Sequence, residues 1–242
     1  MIGVAIPAHN EAALLARCLR AAGTAAARYR AKSGEAVKIV VVLDACSDGS
    51  DAICAGFDVD TLAIGARNVG IARAHGAAQL LQAGARWLAF TDADSMVAPD
   101  WLVEQLALGA DAVCGPIDVD DWGAHPPHAR DAFSSRYVAA DGHRHVHGAN
   151  LGVSAAAYRR AGGFAPLECA EDVALVCALL AAGARVAWSA RPRVVTSGRR
   201  IARVRGGFAD TLARIGKRLR AQPDRQLSDE TGRSGLEGGL QR

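Results

Sequence analysis

Residues 86–95 read RWLAFTDADS, an apolar run that ends in two carboxylates, Asp92 and Asp94. The run is short and is bounded by polar residues, which is typical of a buried β-strand. An acidic pair directly after such a strand lies at the strand's carboxyl end, where open α/β sheets bind their ligands. This stretch therefore predicts one strand of the fold and one edge of its functional site.

Strands and helices alternate around this stretch. Short apolar runs predict the strands, and apolar residues at helical spacing predict the helices between them. The predicted strands are 2–7, 37–43, 59–64, 86–91 and 111–115, and the predicted helices are 10–27, 68–83 and 99–108. Because strands joined through helices form right-handed crossovers, this order predicts an α/β fold with a Rossmann-like, mainly parallel sheet flanked by helices.

The second half of the chain is less regular. Residues 117–144 are rich in Asp, Pro and His with weak periodicity, which predicts a long irregular segment. After it we expect strands at 150–154 and 185–188 and helices at 155–161, 171–182 and 206–220. We therefore expect a single domain over residues 1–220, divided into halves 1–116 and 117–220, followed by a flexible tail over 221–242.

Composition excludes several classes of protein. Half of the 242 residues are hydrophobic and the formal net charge is only +3, which fits a globular chain and gives no support for nucleic-acid binding. The six cysteines form no C-x-x-C pair, so we expect reduced thiols. The first residues show no signal-peptide pattern, and no apolar run approaches a membrane span, so the expected location is the cytoplasm.

Polar groups follow four successive strands. The Asp92 and Asp94 carboxylates are suited to hold Mg²⁺ or Mn²⁺ through one or two oxygens and to leave other positions to phosphate and water. The other three groups are 7–11 after the first strand, Asp44 after the second, and 66–70 after the third. Together they predict a cleft for a nucleotide and its diphosphate.

The order of these groups resembles that of the family-2 nucleotide-sugar glycosyltransferases, which have the GT-A fold. The motifs that carry the resemblance extend over about residues 1–200. They are Pro7-x-His9-Asn10-Glu11, Asp44, Arg67-Asn68-x-Gly70, Asp92-Ala93-Asp94, His147-Gly148-Ala149-Asn150, Ala161-Gly162-Gly163-Phe164 and Glu171-Asp172-Val173. The resemblance implies a GT-A-type single domain with a smaller acceptor-side half.

The resemblance also implies an activity, the transfer of a sugar from a UDP-, GDP- or dTDP-sugar to a hydroxyl of a soluble acceptor, as in hexosyltransferases. A divalent cation held by Asp92 and Asp94 would neutralise the departing diphosphate. Asp172 would be the general base of an inverting reaction, and Glu171 would orient Asp172 or a substrate hydroxyl. The remaining substrate-binding residues it implies are Pro7, His9, Glu11, Asp44, Arg67, Asn68, Asp92, His147 and Asn150.

The sequence departs from the family pattern at two places. Many relatives read V-D-D-G-S where this chain has Leu43-Asp44-Ala45-Cys46-Ser47, so the second Asp is missing. Relatives that bind metal through a His after the E-D helix would place it near 194–197, where this chain has none, and Ser197 or a water is expected instead. The Q-x-x-R-W motif of processive synthases is absent, which favours a single transfer.

Two features leave alternatives open. His143, His145 and His147 alternate, so on an extended segment they would point to one side, either as a binding surface or as solvated imidazoles. His147 adjoins the acceptor-side motif and is the residue we favour. The D-x-D loop also resembles the nucleophile loop of haloacid-dehalogenase phosphatases, although that family has it after the first strand. Besides a glycosyltransferase and a phosphatase, a non-catalytic protein that binds a nucleotide sugar is the third function that the sequence leaves open.

Overall fold

The computed structural model describes residues 1–199 except 123, 124 and 126, and is built on a seven-stranded sheet. The strand order is β3-β2-β1-β4-β8-β6-β9, and only β8 runs antiparallel to its neighbours. The strands are β1 (Ile2–Ala8), β2 (Val37–Asp44), β3 (Asp60–Ile64), β4 (Trp87–Phe90), β6 (Ala112–Cys114), β8 (Leu151–Ser154) and β9 (Val186–Trp188). The expected mainly parallel α/β sheet is confirmed.

Helices cover both faces of this sheet. They are α1 (Ala12–Ser33), α2 (Ser50–Cys54), α3 (Val69–Gln82), α4 (Trp101–Ala107), α5 (Pro127–Arg136), α6 (Ala155–Arg160) and α7 (Glu171–Ala181). Alternation along β1 divides the core, because successive side chains point to opposite faces. Ile2, Val4 and Ile6 pack with α1 and α4, whereas Ala5 packs with α3 and α7.

A second, three-stranded sheet lies beside the carboxyl ends of the first. Its order is β5 (Ser95–Val97), β10 (Val194–Thr196), β7 (Ile117–Val119). Strand β10 pairs antiparallel with β5 and parallel with β7. The sequence pattern did not predict this sheet, because three-residue strands are too short to show periodicity. It brings Thr196 next to the loop that follows β4.

The prediction of a long irregular segment over 117–144 was wrong. The segment contains β7 and the ten-residue helix α5. Ala129 and Phe133 are buried, and Tyr137 continues the same spacing of four residues. That spacing places all three on one helix face. The Asp, Pro and His residues between them hid this weak helical pattern.

Several boundaries also differ from the sequence prediction. Helix α1 continues to Ser33 and ends where Gly34, with a φ of 71°, donates its N–H to the Arg30 carbonyl. Helix α4 begins at Trp101 instead of residue 99, and α2 was not predicted. The predicted helix 206–220 and tail 221–242 lie outside the described residues. The described part of the chain contains no helix with the length and apolar character that a membrane crossing requires.

Candidate functional site

Strained backbone marks the loops around one end of the sheet. Among the described residues, four residues other than glycine have a positive φ, and each lies in a loop that enters or leaves this end. They are Asn10, Ala45, Arg67 and Ala170, with φ between 49° and 59°. Residues other than glycine rarely adopt this backbone conformation, and the few that do are concentrated at functional sites.

Asp44 organises the end of β2. Its Oδ1 accepts the backbone N–H of Arg67 and its Oδ2 accepts that of Asn68, both at 2.8 Å. Its own carbonyl accepts a hydrogen bond from the His9 ring, whose Nδ1 lies 2.6 Å away. Asn68 then caps α3, accepting the Ile71 N–H at 2.9 Å. The buried Asp44 side chain therefore holds the loop from which the exposed Arg67 side chain projects.

The loop after β1 is locked to the loop after β2. Pro7 lies on β1 opposite Val42, near the point where both strands end. Asn10 Oδ1 accepts the Ser47 N–H at 2.8 Å, and Asp48 Oδ2 accepts the Ala12 N–H at 2.8 Å. Asp48 thus binds one of the free N–H groups at the start of α1. The departure from the family pattern at 45–46 leaves this loop anchored through Asp48.

A guanidinium joins Asp94 to Glu11. Arg199 donates Nε–H to Asp94 Oδ2 at 3.0 Å, makes a second contact to the same oxygen through Nη2, and donates from Nη1 to Glu11 Oε1 at 2.8 Å. On its other side, Asp94 Oδ1 lies 3.1 Å from the Ser95 hydroxyl and 3.4 Å from that of Thr196. At the position where Ser197 or a water was expected, Thr196 is the residue that contacts Asp94.

A second guanidinium connects Asp92 to Glu171. Arg73 on α3 donates from Nη2 to Asp92 Oδ1 at 2.5 Å and from Nη1 to Glu171. Only 4% of the Arg73 side chain and 5% of the Glu171 side chain are exposed. Burial raises the pKa of the Asp92 carboxyl, and the Arg73 guanidinium acts in the opposite direction. Arg73 thus joins the carboxyl end of β4 to the start of α7.

The sequence prediction missed Arg73. One signal could have found it, since it is the only charged residue in the small apolar run from Val69 to Ala74, and a buried charge needs a partner. Gly148 belongs to the same arrangement. A Cβ at that position would lie 2.3 Å from the Arg73 guanidinium carbon. The Gly148 motif therefore leaves room for Arg73 to cross the cleft.

Asp172 lies next to Glu171 on the far side of this guanidinium. Its Oδ2 accepts the Gly148 N–H at 2.7 Å, and its Oδ1 accepts the Val173 N–H at 2.8 Å. Each oxygen retains one lone pair for a further donor. Asp172 also adds to the negative field at Asp92, so the two carboxylates belong to one site.

Stacked rings lie on the segment that precedes Gly148. The Tyr137 ring stacks on His145 with centroids 4.1 Å apart, and His145 stacks in turn on His143 and His147. The segment that carries the three alternating histidines is not the strand on which they would point to one side, but their rings form one stack. We call Tyr137, His145, His147 and Asp172 the ring wall, and Glu11, Asp44, Asp92 and Asp94 the strand-end wall.

Burial disfavours the charged forms of His147 and Tyr137. It lowers the pKa of His147 to about 4 and raises that of Tyr137 to about 12. The Tyr137 hydroxyl accepts the Ile117 N–H at 2.8 Å and lies 2.9 Å from Nε2 of His147. The two groups share a hydrogen bond, which the hydroxyl donates when Nε2 of the neutral imidazole carries no proton and accepts when it does.

Asn150 lies beneath the site instead of at its surface. It is fully buried, and its amide nitrogen donates to the carbonyls of Pro116 at 2.7 Å and Pro192 at 2.8 Å. Its amide oxygen accepts the indole N–H of Trp101 at 2.9 Å. The sequence suggested a substrate contact here, but the structure uses this side chain to brace the segments before β7 and β10.

The carboxylates suit a cation that binds together with its ligand. Over residues 1–199, apart from the three omitted positions, no three His, Cys, Asp or Glu side chains come together in a way that could hold a metal ion. Mg²⁺ commonly takes one or two protein carboxylates and completes its coordination with phosphate oxygens and water. Asp94, with Asp92 nearby, fits that arrangement if phosphate supplies the remaining ligands.

Comparison with known proteins identifies the family of the chain and solved structures with the same fold. The model of the family described as glycosyl transferase family 2 matches residues 3–161, which is more than half of the chain. No protein with a curated description matches the sequence.

Solved structures show the same fold. S. aureus TarS in complex with UDP has a TM-score of 0.58 at 16% identity, over 82% of this chain and 61% of that chain. Mannosyltransferase PcManGT from Pyrobaculum calidifontis, in complex with GDP-Man and Mn²⁺, has a TM-score of 0.61 at 21% identity, over 85% of this chain and 58% of that chain. The TarS chain in that structure comprises residues 1–349, and this chain thus spans about three fifths of the length of either solved chain, but only 36% of a longer solved chain of TarS.

Proposed function

The chain belongs to glycosyl transferase family 2, and from this premise we propose that it transfers a sugar from a nucleoside-diphosphate sugar to a hydroxyl of a second molecule. The observation that carries the proposal is the Arg73 bridge. It joins Asp92, at the strand end expected to face the donor, to Glu171 beside the proposed base. One guanidinium thereby fixes the distance between the proposed donor site and the proposed base.

The strand-end wall is the proposed donor site. The Arg199 guanidinium joins two of its carboxylates, and the exposed Arg67 projects from the loop that Asp44 holds, so two cations are available to an anionic diphosphate. TarS is solved with UDP and PcManGT with GDP-Man, so the fold is compatible with a uracil or a guanine nucleotide. A dTDP-sugar also stays among the candidate donors. The nucleotide is proposed to bind along six residues of the strand-end loops, which are Pro7, His9, Glu11, Asp44, Arg67 and Asn68. The group proposed to be transferred is a hexosyl group.

Asp94, with Asp92, is the proposed holder of a divalent cation. PcManGT is solved with Mn²⁺, and carboxylate and phosphate oxygens suit both Mn²⁺ and Mg²⁺. When bound, the ion would neutralise charge that develops on the departing diphosphate. The neighbouring Ser95 and Thr196 hydroxyls keep Asp94 Oδ1 in a fixed orientation.

Asp172 is the proposed general base. The hydrogen bond from Gly148 fixes its carboxylate, which would take the proton of the acceptor hydroxyl. The acceptor oxygen then bonds to the anomeric carbon as the bond from that carbon to the diphosphate oxygen breaks, with the electron pair leaving on the diphosphate. A single displacement of this kind inverts the anomeric configuration. Glu171 holds Arg73 and acts as a positioning residue, and His147 lies on the acceptor side.

The proposed transfer is a single step. The chain lacks the Q-x-x-R-W motif of the processive synthases in the family that it resembles. The phosphatase alternative requires Asp92 as an unhindered nucleophile, and Asp92 is bound to Arg73. Family membership and this contact both favour transfer over phosphate hydrolysis or mere binding.

Calorimetry with UDP-, GDP- and dTDP-sugars, each with and without Mn²⁺, tests the donor and metal parts of the proposal. We expect one nucleotide class to bind in a metal-dependent manner, and Asp94→Ala to abolish the metal-dependent part. Asp58→Ala, which removes an exposed carboxylate after α2, is the matched control and should behave as wild type. Undiminished metal-dependent binding by Asp94→Ala would contradict the proposed metal site.

A further inference from the structure

Arg199 occupies the hydrogen-bonding capacity of the proposed metal ligand. A carboxylate offers about four lone-pair positions, two on each oxygen. At Asp94, the Nε and Nη2 groups of Arg199 take both positions of Oδ2. The hydroxyls of Ser95 and Thr196 lie at Oδ1, at 3.1 and 3.4 Å. The Ser95 and Thr196 hydroxyls also lie 2.9 Å from each other, so their two protons do not both have to serve Oδ1. The covered oxygen is Oδ2, and a divalent cation reaches it only if Arg199 leaves.

Arg199 is the partner best able to leave. The Ser95 and Thr196 hydroxyls are fully or nearly buried and sit on paired strands, β5 and β10. Arg199 follows β10 by three residues, and 23% of its side chain is exposed. Its third contact, from Nη1 to Glu11 Oε1 at 2.8 Å, does not involve Asp94. The guanidinium could therefore turn away from Asp94 and remain tied to Glu11.

Electrostatics give the contact its strength. Only 11% of the Asp94 side chain and 9% of the Glu11 side chain are exposed, so solvent screens these two charges weakly. Either a guanidinium or a metal ion can compensate the buried Asp94 charge. Both at once, without a new anion, would place excess positive charge next to Glu11. A diphosphate is an anion that would accept the released guanidinium.

We propose that Arg199 and the divalent cation bind Asp94 alternately, and that Arg199 moves from Asp94 to the donor diphosphate when the metal and nucleotide enter together. This inference rests on the proposed donor and metal site and adds a positioning residue that couples the two ligands. It has a direct thermodynamic consequence. Arg199 opposes binding of the metal alone and supports binding of the metal with the nucleotide diphosphate.

Binding of Mn²⁺ alone is the first measurement, because it needs neither substrate nor activity. The signal of free Mn²⁺ in electron paramagnetic resonance reports this binding directly. Arg199→Gln removes the competing charge, and we expect it to bind Mn²⁺ about tenfold more tightly than wild type, within the usual range of coupling between ligands. Arg193→Gln, which removes an exposed arginine just before β10, is the matched control and should leave the affinity unchanged.

The second measurement is the binding of Mn²⁺ together with UDP or with GDP, followed by calorimetry. Whichever nucleotide wild type accepts should bind to Arg199→Gln about tenfold more weakly, since the diphosphate loses its guanidinium. Arg199→Lys keeps the charge but loses the planar fork, and should lie between wild type and Arg199→Gln in both measurements. This variant keeps the test decisive if the glutamine variant does not fold.

The outcomes separate this inference from the proposed function. If Asp94→Ala abolishes metal-dependent nucleotide binding while the Arg199 variants bind Mn²⁺ alone as wild type does, the donor site stands and the exchange is wrong. If the Arg199 variants bind both Mn²⁺ and the Mn²⁺-nucleotide complex more tightly, Arg199 only blocks the site and does not move to the diphosphate. If Asp94→Ala has no effect, the proposed metal site itself fails.

Discussion

The strand-end wall holds its charges in place with opposite charges and backbone N–H groups, whereas the ring wall is made of stacked rings, of which burial keeps His147 and Tyr137 neutral. Asp44, Asp92 and Asp94 are each bound by two backbone N–H groups or a guanidinium. His147 and Tyr137 instead have pKa values shifted to about 4 and about 12, so neither is charged near neutral pH. Asp172 is the charged group on this second wall.

This difference matches the two partners that the proposed reaction needs. A nucleoside diphosphate is anionic, and its side of the cleft carries fixed charges that can be exchanged or compensated. An acceptor hydroxyl is neutral, and its side offers neutral hydrogen-bonding rings around one base. Three substitutions test whether the walls are separate in function, in stability and in titration. They are given below from the largest expected effect to the smallest.

Asp172→Asn tests the separation in function. Asn can still accept the Gly148 N–H, so the shape of the ring wall is kept and the basicity is lost. We expect transfer to slow by about 10² to 10⁴-fold, the usual range for loss of a general base, while donor affinity stays within a few-fold of wild type. Single-turnover kinetics and calorimetry measure the two quantities.

Asp131→Asn, an exposed carboxylate on α5, is the control and should retain full turnover. A large loss of donor affinity in Asp172→Asn would show that the two walls are not separate. Near-wild-type turnover would remove Asp172 from the role of base. A product with retained configuration would contradict the inverting mechanism.

Arg73→Met tests the connection between the walls. The substitution leaves Glu171 as a buried, unpaired carboxylate, and breaking a buried ion pair typically costs about 3–5 kcal/mol. We expect a decrease of that size in the free energy of unfolding, measured with denaturant. Adding Glu171→Gln should restore part of it, because the unpaired charge is then gone.

Arg28→Met, at an exposed position of α1, should change the free energy of unfolding by less than about 0.5 kcal/mol. If Arg73→Met is as mild as this control, the bridge does not hold the walls together. If the double variant is no more stable than Arg73→Met, the cost has another source than the charge of Glu171.

His147→Gln tests the neutrality of the ring wall. Burial lowers the His147 pKa from 6.5 to about 4, so the unfolded chain takes up a proton as the pH falls through 6.5 while the folded chain does not. This histidine therefore contributes stability above pH 6.5 that is lost between pH 6.5 and 4. In His147→Gln, we expect the loss of unfolding free energy between pH 7.5 and 4.5 to be smaller than in wild type by about 2–3 kcal/mol.

The exposed His75 supplies the control for this titration, and His75→Gln should keep the wild-type pH profile. Parallel profiles of wild type and His147→Gln would show that His147 titrates in the folded protein as it does in the unfolded chain. The ring wall would then become charged in mild acid, and the contrast between the walls would hold only near neutral pH.

Local sequence signals predicted the seven strands of the large sheet and its ligand-binding edge. These strands and the helices α1, α3, α4, α6 and α7 follow apolar runs whose period can be read over a few residues. The Asp92 and Asp94 pair follows its strand directly, and Glu171 and Asp172 start their helix as expected. The same reasoning missed α5 and the three-stranded sheet, because weak spacing and three-residue strands give too little pattern.

Side-chain partners were beyond such reasoning. Asn150 was expected to contact the substrate, but it is a buried brace. Thr196 was not singled out, but it contacts Asp94 because β10 pairs with β5. Neither result follows from the residues next to them. Both depend on which segments the fold places side by side.

The sequence by itself determined the chain order of the strands of the large sheet, the chemical groups at the strand ends and the family to which the chain belongs. Only the tertiary structure decided which charges pair. Arg73 and Glu171 are 98 residues apart and Arg199 and Glu11 are 188 apart, yet each pair shares one buried contact. The physical reason is that periodicity arises between near neighbours, whereas a buried charge is stabilised by whatever opposite charge the packed chain brings to it.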